Sequence, residues 1–156
     1  MYSRCRIDGA TTGTFVDGGY WALVLKDIKE QVAAKRETWV TIQFGHNDQK
    51  IAPPESMGTN ITSFVRQIRQ LGAQPILITS LSRRSFTNGG KISDTLGPWA
   101  DETIRVAAAE KTHLLDLHKY SIQYLESIGP DAAYRLNKSP TDYTHLNTNG
   151  TIVFGR

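Results

Sequence analysis

The apolar positions of this chain alternate between helix-like and strand-like runs. Trp21, Val24, Leu25, Ile28 and Val32 recur at the spacing of one helix face. They predict a helix from about Gly19 to Ala34, capped by Asp17. Trp39–Phe44 is a short β-rich apolar run that stops at Gly45. A second helix is predicted from Thr59 or Asn60, with Ile61, Phe64, Val65, Ile68 and Leu71 as its buried stripe and Gly72 as its C-terminal cap. Pro75 to Ser80 reads as a second strand, apolar enough to be covered on both faces. A polar loop over 81–97 has Asn88-Gly89-Gly90 at its tip. Pro98 suits the first turn of a third helix, to about Glu110.

His113 to Leu117 reads as a third strand, followed by a helix from His118 to about Ile128 that Gly129-Pro130 closes. Residues 1–18, 50–58 and 130–146 read as irregular, and Asn147 or Thr148 starts a short last helix. Helix and strand alternating in this way predict an α/β layer fold with a parallel sheet, in one domain over residues 1–156. Both ends read as incomplete, because no strand precedes the first helix and the last helix is short.

Composition adds exclusions. With 156 residues, 39% apolar and 21% charged, the chain has enough length for a real core. The net charge is +3, but the basic residues are scattered, with Arg83-Arg84 the one notable pair; this argues against nucleic-acid binding. No run of about 18 apolar residues is present, which argues against a helical membrane span. One cysteine, Cys5, rules out an internal disulfide and a cysteine-built metal site. The opening Met-Tyr-Ser-Arg-Cys-Arg lacks the apolar core of a signal peptide.

Two polar clusters carry the candidate chemistry. His46, Asn47 and Asp48 follow Gly45 at a strand end, where open α/β sheets present their sites. Asp142 and His145 stand three residues apart before the last helix. A carboxylate can orient an imidazole, which then takes a proton from a hydroxyl nucleophile. The same spacing also occurs where an aspartate caps a turn beside a surface histidine. Asn47 could donate to an oxyanion or serve its own turn. His46, Asp48 and His145 are also possible metal ligands, without further pattern to support them. The expectation is that the two clusters meet in one site. No nucleophile stands out: Ser80 at a strand end lacks a glycine-flanked elbow, Ser3 precedes any element, and nothing argues for an activated Cys5.

These residues resemble the GDSL/SGNH hydrolase superfamily. Gly45-His46-Asn47-Asp48 matches its Gly-x-Asn-Asp block, Asp142-Tyr-Thr-His145 its Asp-x-x-His block, and Gly9-Ala-Thr-Thr-Gly-Thr-Phe15 its glycine block, with Gly9 as the matching glycine. The histidine in Gly-His-Asn-Asp points to the rhamnogalacturonan acetylesterase-like branch. The resemblance implies a flavodoxin-like three-layer α/β/α sandwich. It makes Asp142 and His145 the acid and base of a Ser-His-Asp triad, and Asn47 and the Gly9 N–H oxyanion donors. It implies hydrolysis of O-acetyl esters on a pectic or related polysaccharide, no metal or organic cofactor, a monomer and an extracellular setting.

The family's Gly-Asp-Ser block has no counterpart in these residues. That departure predicts a fragment lacking the first central strand and its serine, unstable or inactive when expressed alone. The alternative is a non-catalytic carbohydrate-binding remnant. In either reading His46, Asp48, Arg83 and Arg84 are candidate substrate contacts, the arginines by charge-assisted pairing with acidic sugars; for Arg83 and Arg84 a solvated loop is the better reading from sequence. A flavin or nucleotide binder is disfavoured, since no phosphate-cradling Gly-rich turn follows a strand. Trp21, Trp39 and Trp99 are expected in the core rather than against sugar.

Overall fold

The computed structural model describes residues 7–155. The expectations attached to Met1, Ser3 and Cys5 lie outside the described residues. The chain divides into two compact units. One holds the residues up to Ser80 together with Pro98–Leu115; the other holds Leu81–Gly97 and the residues from Asp116 onward.

In the first unit β1 (Trp39–Ile42), β2 (Gln74–Ile78) and β3 (His113–Leu115) form a parallel sheet in the order β1-β2-β3. The predicted strands are all present and parallel. Each ends earlier than expected. Pairing of β1 stops at Ile42, and Phe44 turns inward instead, its ring 5.4 Å from Phe15 and 6.1 Å from Phe64. β2 alternates rather than being covered throughout: Pro75 and Leu77 are buried while Ile76 and Ile78 are half-buried. On its other side β1 has no strand partner among the described residues.

The helices of this unit are α1 (Thr12–Asp17), α2 (Tyr20–Ala33), α3 (Pro54–Gln70) and α4 (Gly97–Ala109). Helix α1 lies in a stretch expected to be loop. The Thr11 hydroxyl accepts from the Thr14 N–H at 3.1 Å, and the Thr14 hydroxyl accepts from the Thr11 N–H at 2.9 Å. That is a capping box made with threonine in place of Glu or Gln. Asp17 ends α1 and does not cap α2, which starts from Gly19 without a side-chain cap. Helix α3 starts earlier than Thr59, because Pro54 occupies the first helical position, where the missing N–H costs nothing.

Met57, Ile61, Phe64, Val65 and Ile68 of α3 are sealed from solvent. Each contributes about 2 kcal/mol by burial. Trp21 of α2 stacks on Phe64 at 4.0 Å, and Trp99 packs against the same core. Trp39 departs from expectation. It is 46% exposed at the first position of β1, with its indole N–H donating to Glu37 at 3.0 Å.

The second unit has a smaller core of Leu125, Ala133 and Leu136, onto which Phe86, Ile92, Ile128 and Phe154 pack. Residues 85–93 form a hairpin-like loop closed by Thr87 N–H to Lys91 at 2.8 Å and Ser93 N–H to Ser85 at 2.8 Å. Helix α5 (Leu117–Tyr134) runs past its expected end. Gly129 leaves helical geometry, and Pro130 then opens one more turn to Tyr134. Helix α6 (Thr148–Phe154) starts from Asn147, whose side chain accepts from the Gly150 N–H at 2.9 Å. Among the described residues no helix is long and apolar enough to cross a membrane.

At the end of β1 the chain turns at Gly45 with φ +130. A Cβ there would lie 2.4 Å from the Ser80 hydroxyl oxygen, which itself donates to the Phe44 carbonyl at 2.7 Å. Gly45→Ala is therefore expected to destabilise the fold by about 2 kcal/mol or more, from strain and clash together. Urea unfolding measures this. Gly45→Ala made in a Ser80→Ala background should recover part of the loss, and a fully additive pair would refute the contact.

Candidate active site

One candidate cluster is built where β1 ends. Asn47 follows the Gly45 turn, and its side-chain N–H donates to the Ala10 carbonyl at 3.2 Å. Its Oδ1 accepts from Lys50 Nζ at 2.9 Å. The amide nitrogen carries two hydrogens, so one remains for a ligand. This bond brings Asn47 beside the Gly9-Ala10 segment. Gly9 is exposed, with φ +78.

Asp48 is placed otherwise than expected. It is 2% exposed, and its Oδ1 accepts both the Thr12 N–H at 2.9 Å and the Thr12 hydroxyl at 2.6 Å. A substrate at the surface does not reach it. Its work is to tie the 3-10 turn Asp48–Lys50 to the start of α1. His46 is half-buried and, like Asn47, lines a groove of about 950 Å³ along the open side of β1.

The second cluster lies wholly in the other unit. His145 Nδ1 is 2.8 Å from Asp142 Oδ2. The second carboxylate oxygen accepts the backbone N–H groups of His145 at 2.8 Å and Thr144 at 3.0 Å. The His145 N–H is the foremost cause holding the Asp142 carboxyl down at about 2, against an ordinary 3.8; the imidazole and the Thr144 N–H add to it and outweigh the effect of burial. Asp142 is thus a fixed anion at neutral pH. The His145 side chain is 61% exposed, leaving its Nε2 edge open to solvent.

The two loop arginines differ. Arg83 is half-buried, donating to Thr95 at 2.6 Å and Thr144 at 3.3 Å. Arg84 is 0% exposed, so it does not contact substrate as expected. Its Nη2 donates to the His145 carbonyl at 2.7 Å and its Nε to the Asn137 side-chain oxygen. A second imidazole–carboxylate pair, His118 with Asp94 at 2.9 Å, was not foreseen, nor were Thr12 and Asn137. The Thr11-x-x-Thr14 box could have flagged Thr12 as the start of a helix. Nothing local marks Asn137. Among the described residues no three His, Cys, Asp or Glu side chains group as metal ligands.

The chain is a member of the GDSL-like Lipase/Acylhydrolase family, which matches residues 4–151. It is 31% identical over 159 residues to the Bacillus subtilis rhamnogalacturonan acetylesterase RhgT, covering 92% of this chain and 66% of that protein. It is 27% identical to a probable rhamnogalacturonan acetylesterase, YesY, of the same organism, covering 92% and 68%. The chain thus spans about two thirds of the length of these relatives. The crystal structure of the Bacillus subtilis protein YxiM superposes with a TM-score of 0.79 at 26% identity, over 95% of this chain and 41% of that one. An acetyl-xylooligosaccharide esterase from Geobacillus shares the fold, with a TM-score of 0.66 at 18% identity over 95% of this chain and 65% of that one.

Asp142 is expected to titrate at about 2 when followed by carboxyl NMR. Its folded value is depressed, so its stabilising effect is complete above its unfolded value and fades as pH falls from 4 toward 2. A carboxyl that titrates near 3.8 would show that the two backbone bonds to Asp142 are not made.

Proposed function

We propose that this chain carries the acid–base half of a serine ester hydrolase that removes O-acetyl groups from a pectic or related polysaccharide. The observation behind this reading is the Asp142–His145 pair, in which an anionic carboxylate holds Nδ1 and leaves Nε2 free. The names of the Bacillus relatives support the substrate class. A polymer of that kind would be met outside the cell, by a monomer.

In this mechanism His145 Nε2 takes the proton of a serine hydroxyl as the serine attacks the acetyl carbonyl. Asp142 stabilises the imidazolium that results and stays ionised throughout. The free Asn47 N–H and the Gly9 N–H receive the charge that develops on the carbonyl oxygen. His145 then returns its proton to the departing sugar oxygen, which leaves as a hydroxyl. Water, activated by the same imidazole, releases acetate and restores the serine. His46 and Arg83 remain the candidate sugar contacts.

The serine comes from outside residues 7–155 in this reading. Ser80 is 1% exposed and its hydroxyl is committed to the Phe44 carbonyl. The groove along β1 supports a strand added there. Parallel strands share a direction, so such a strand would end near Gly45, His46 and Asn47. The competing reading, a carbohydrate-binding protein without catalysis, draws on the same commitment of Ser80.

The deciding experiment is to sequence the native transcript upstream of Met1 and assay its product for acetyl release. A Gly-Asp-Ser after an apolar strand, with activity, is the expected result. His145→Ala should then cut kcat by about 10⁴-fold or more, and Asn47→Ala by about 10²–10³-fold. Retained turnover in His145→Ala would end the esterase reading. Full turnover by the 156-residue chain alone would end the claim of an external serine. A transcript without such a block, whose product binds polysaccharide without cleaving it, favours the binding reading.

A further inference from the structure

The second unit contains a fully buried cation that the esterase mechanism does not use. Arg84 has no solvent exposure, and its main-chain N–H donates to the Tyr143 carbonyl at 2.9 Å. Its guanidinium meets two acceptors, the Asn137 side-chain oxygen and the His145 carbonyl. That carbonyl also accepts the Lys138 N–H at 3.0 Å. The Leu136 carbonyl accepts the Asn147 N–H at 3.0 Å, so the segment carrying the dyad is pinned on both sides of His145.

Burying a guanidinium is expensive. A well-packed apolar side chain fills such a site at least as stably. Here burial pushes the Arg84 guanidinium below its ordinary value, and the Asp142 charge opposes that push. What a guanidinium supplies and an apolar chain does not is a rigid planar fork with donors at fixed angles. Both of its partners lie in the segment from Asn137 to His145, one of them the backbone of His145 itself.

We infer that Arg84 is a positioning residue: its buried fork fixes the main chain at His145 so that the imidazole keeps Nδ1–H on Asp142 and presents Nε2 to the reacting hydroxyl. This rests on the esterase reading for the role of His145. The geometry of the imidazole can be read without turnover. The tautomer of a neutral histidine follows the hydrogen bond its ring makes. Loss of the fork lets the loop shift, and the ring relaxes toward the Nε2–H form that an unconstrained imidazole favours.

The test is ¹⁵N NMR of the imidazole in the whole chain, at a pH where His145 is neutral. The expected wild-type signal is the Nδ1–H tautomer alone. In Arg84→Met that signal is lost in favour of a mixture. Arg84→Lys keeps the charge but not the fork, and it should move the same way. Amide spectra and thermal melts establish that each variant is folded.

If neither variant folds, the wild type still decides. The Arg84 Nε–H should exchange with solvent more than about a hundredfold slower than a free guanidinium, because it opens only when the loop does. Exchange at the free rate, or an unchanged tautomer in either folded variant, overturns the inference. A protein whose tautomer depends on Arg84 but which cleaves no acetyl ester once its serine is present leaves the inference standing and removes the esterase reading. An active enzyme in which Arg84→Lys changes neither kcat nor tautomer does the reverse.

Discussion

A single buried carboxylate oxygen organises the first unit. Asp48 Oδ1 takes two hydrogen bonds from Thr12, and the Thr12 hydroxyl also accepts the Asn60 side chain of α3 at 3.0 Å. Three stretches far apart in sequence are joined there: the start of α1, the turn after β1 and the face of α3. Bonds to a buried charge are stronger than neutral ones, and losing a partner leaves that charge uncompensated. The Ala10 carbonyl comes within reach of Asn47 because Thr12, two residues on, is held this way. An aspartate in a Gly-x-Asn-Asp block thus serves its neighbour, and the asparagine is left to face outward.

The second unit solves a harder problem with fewer apolar residues. The His145–Asp142 pair is largely in contact with solvent, where an ion pair contributes little by itself. Mutual attraction therefore does not fix its orientation. Backbone groups do so: two N–H donors hold the carboxylate, and the carbonyl of His145 is held in turn by Lys138 and Arg84. The side chains stay accessible while the main chain beneath them is held in place.

Much of this could be read from the sequence, for reasons specific to each element. The stripe from Ile61 to Ile68 and the face of Trp21 and Ile28 repeat at helical period, and both are buried as that period demands. The Asp142–His145 contact was legible because it is local, three residues apart. Short strands showed only as apolar runs, so where they stop was not legible: Phe44 is as apolar as Ile42, but it packs on aromatic rings instead of continuing the ladder. Asp48 and Arg84 look like surface charges in a polar string. Their burial is decided by Thr12 and Asn137, partners 36 and 53 residues away, which no local pattern announces.

Those separations bear on how the protein assembles. The chain enters the second unit at Leu81, leaves it at Gly97 and returns at Asp116, so this unit cannot form from one continuous segment. The bond between Arg84 and the His145 carbonyl spans 61 residues. The entropy of closing so long a loop must be spent before the contact returns anything. Contacts inside α3 and α5 can form early; the ordered dyad loop must come near the end of folding. During synthesis the histidine leaves the ribosome long after the arginine that steadies it, so that buried charge must wait, hydrated and unpaired, for most of the remaining chain to follow.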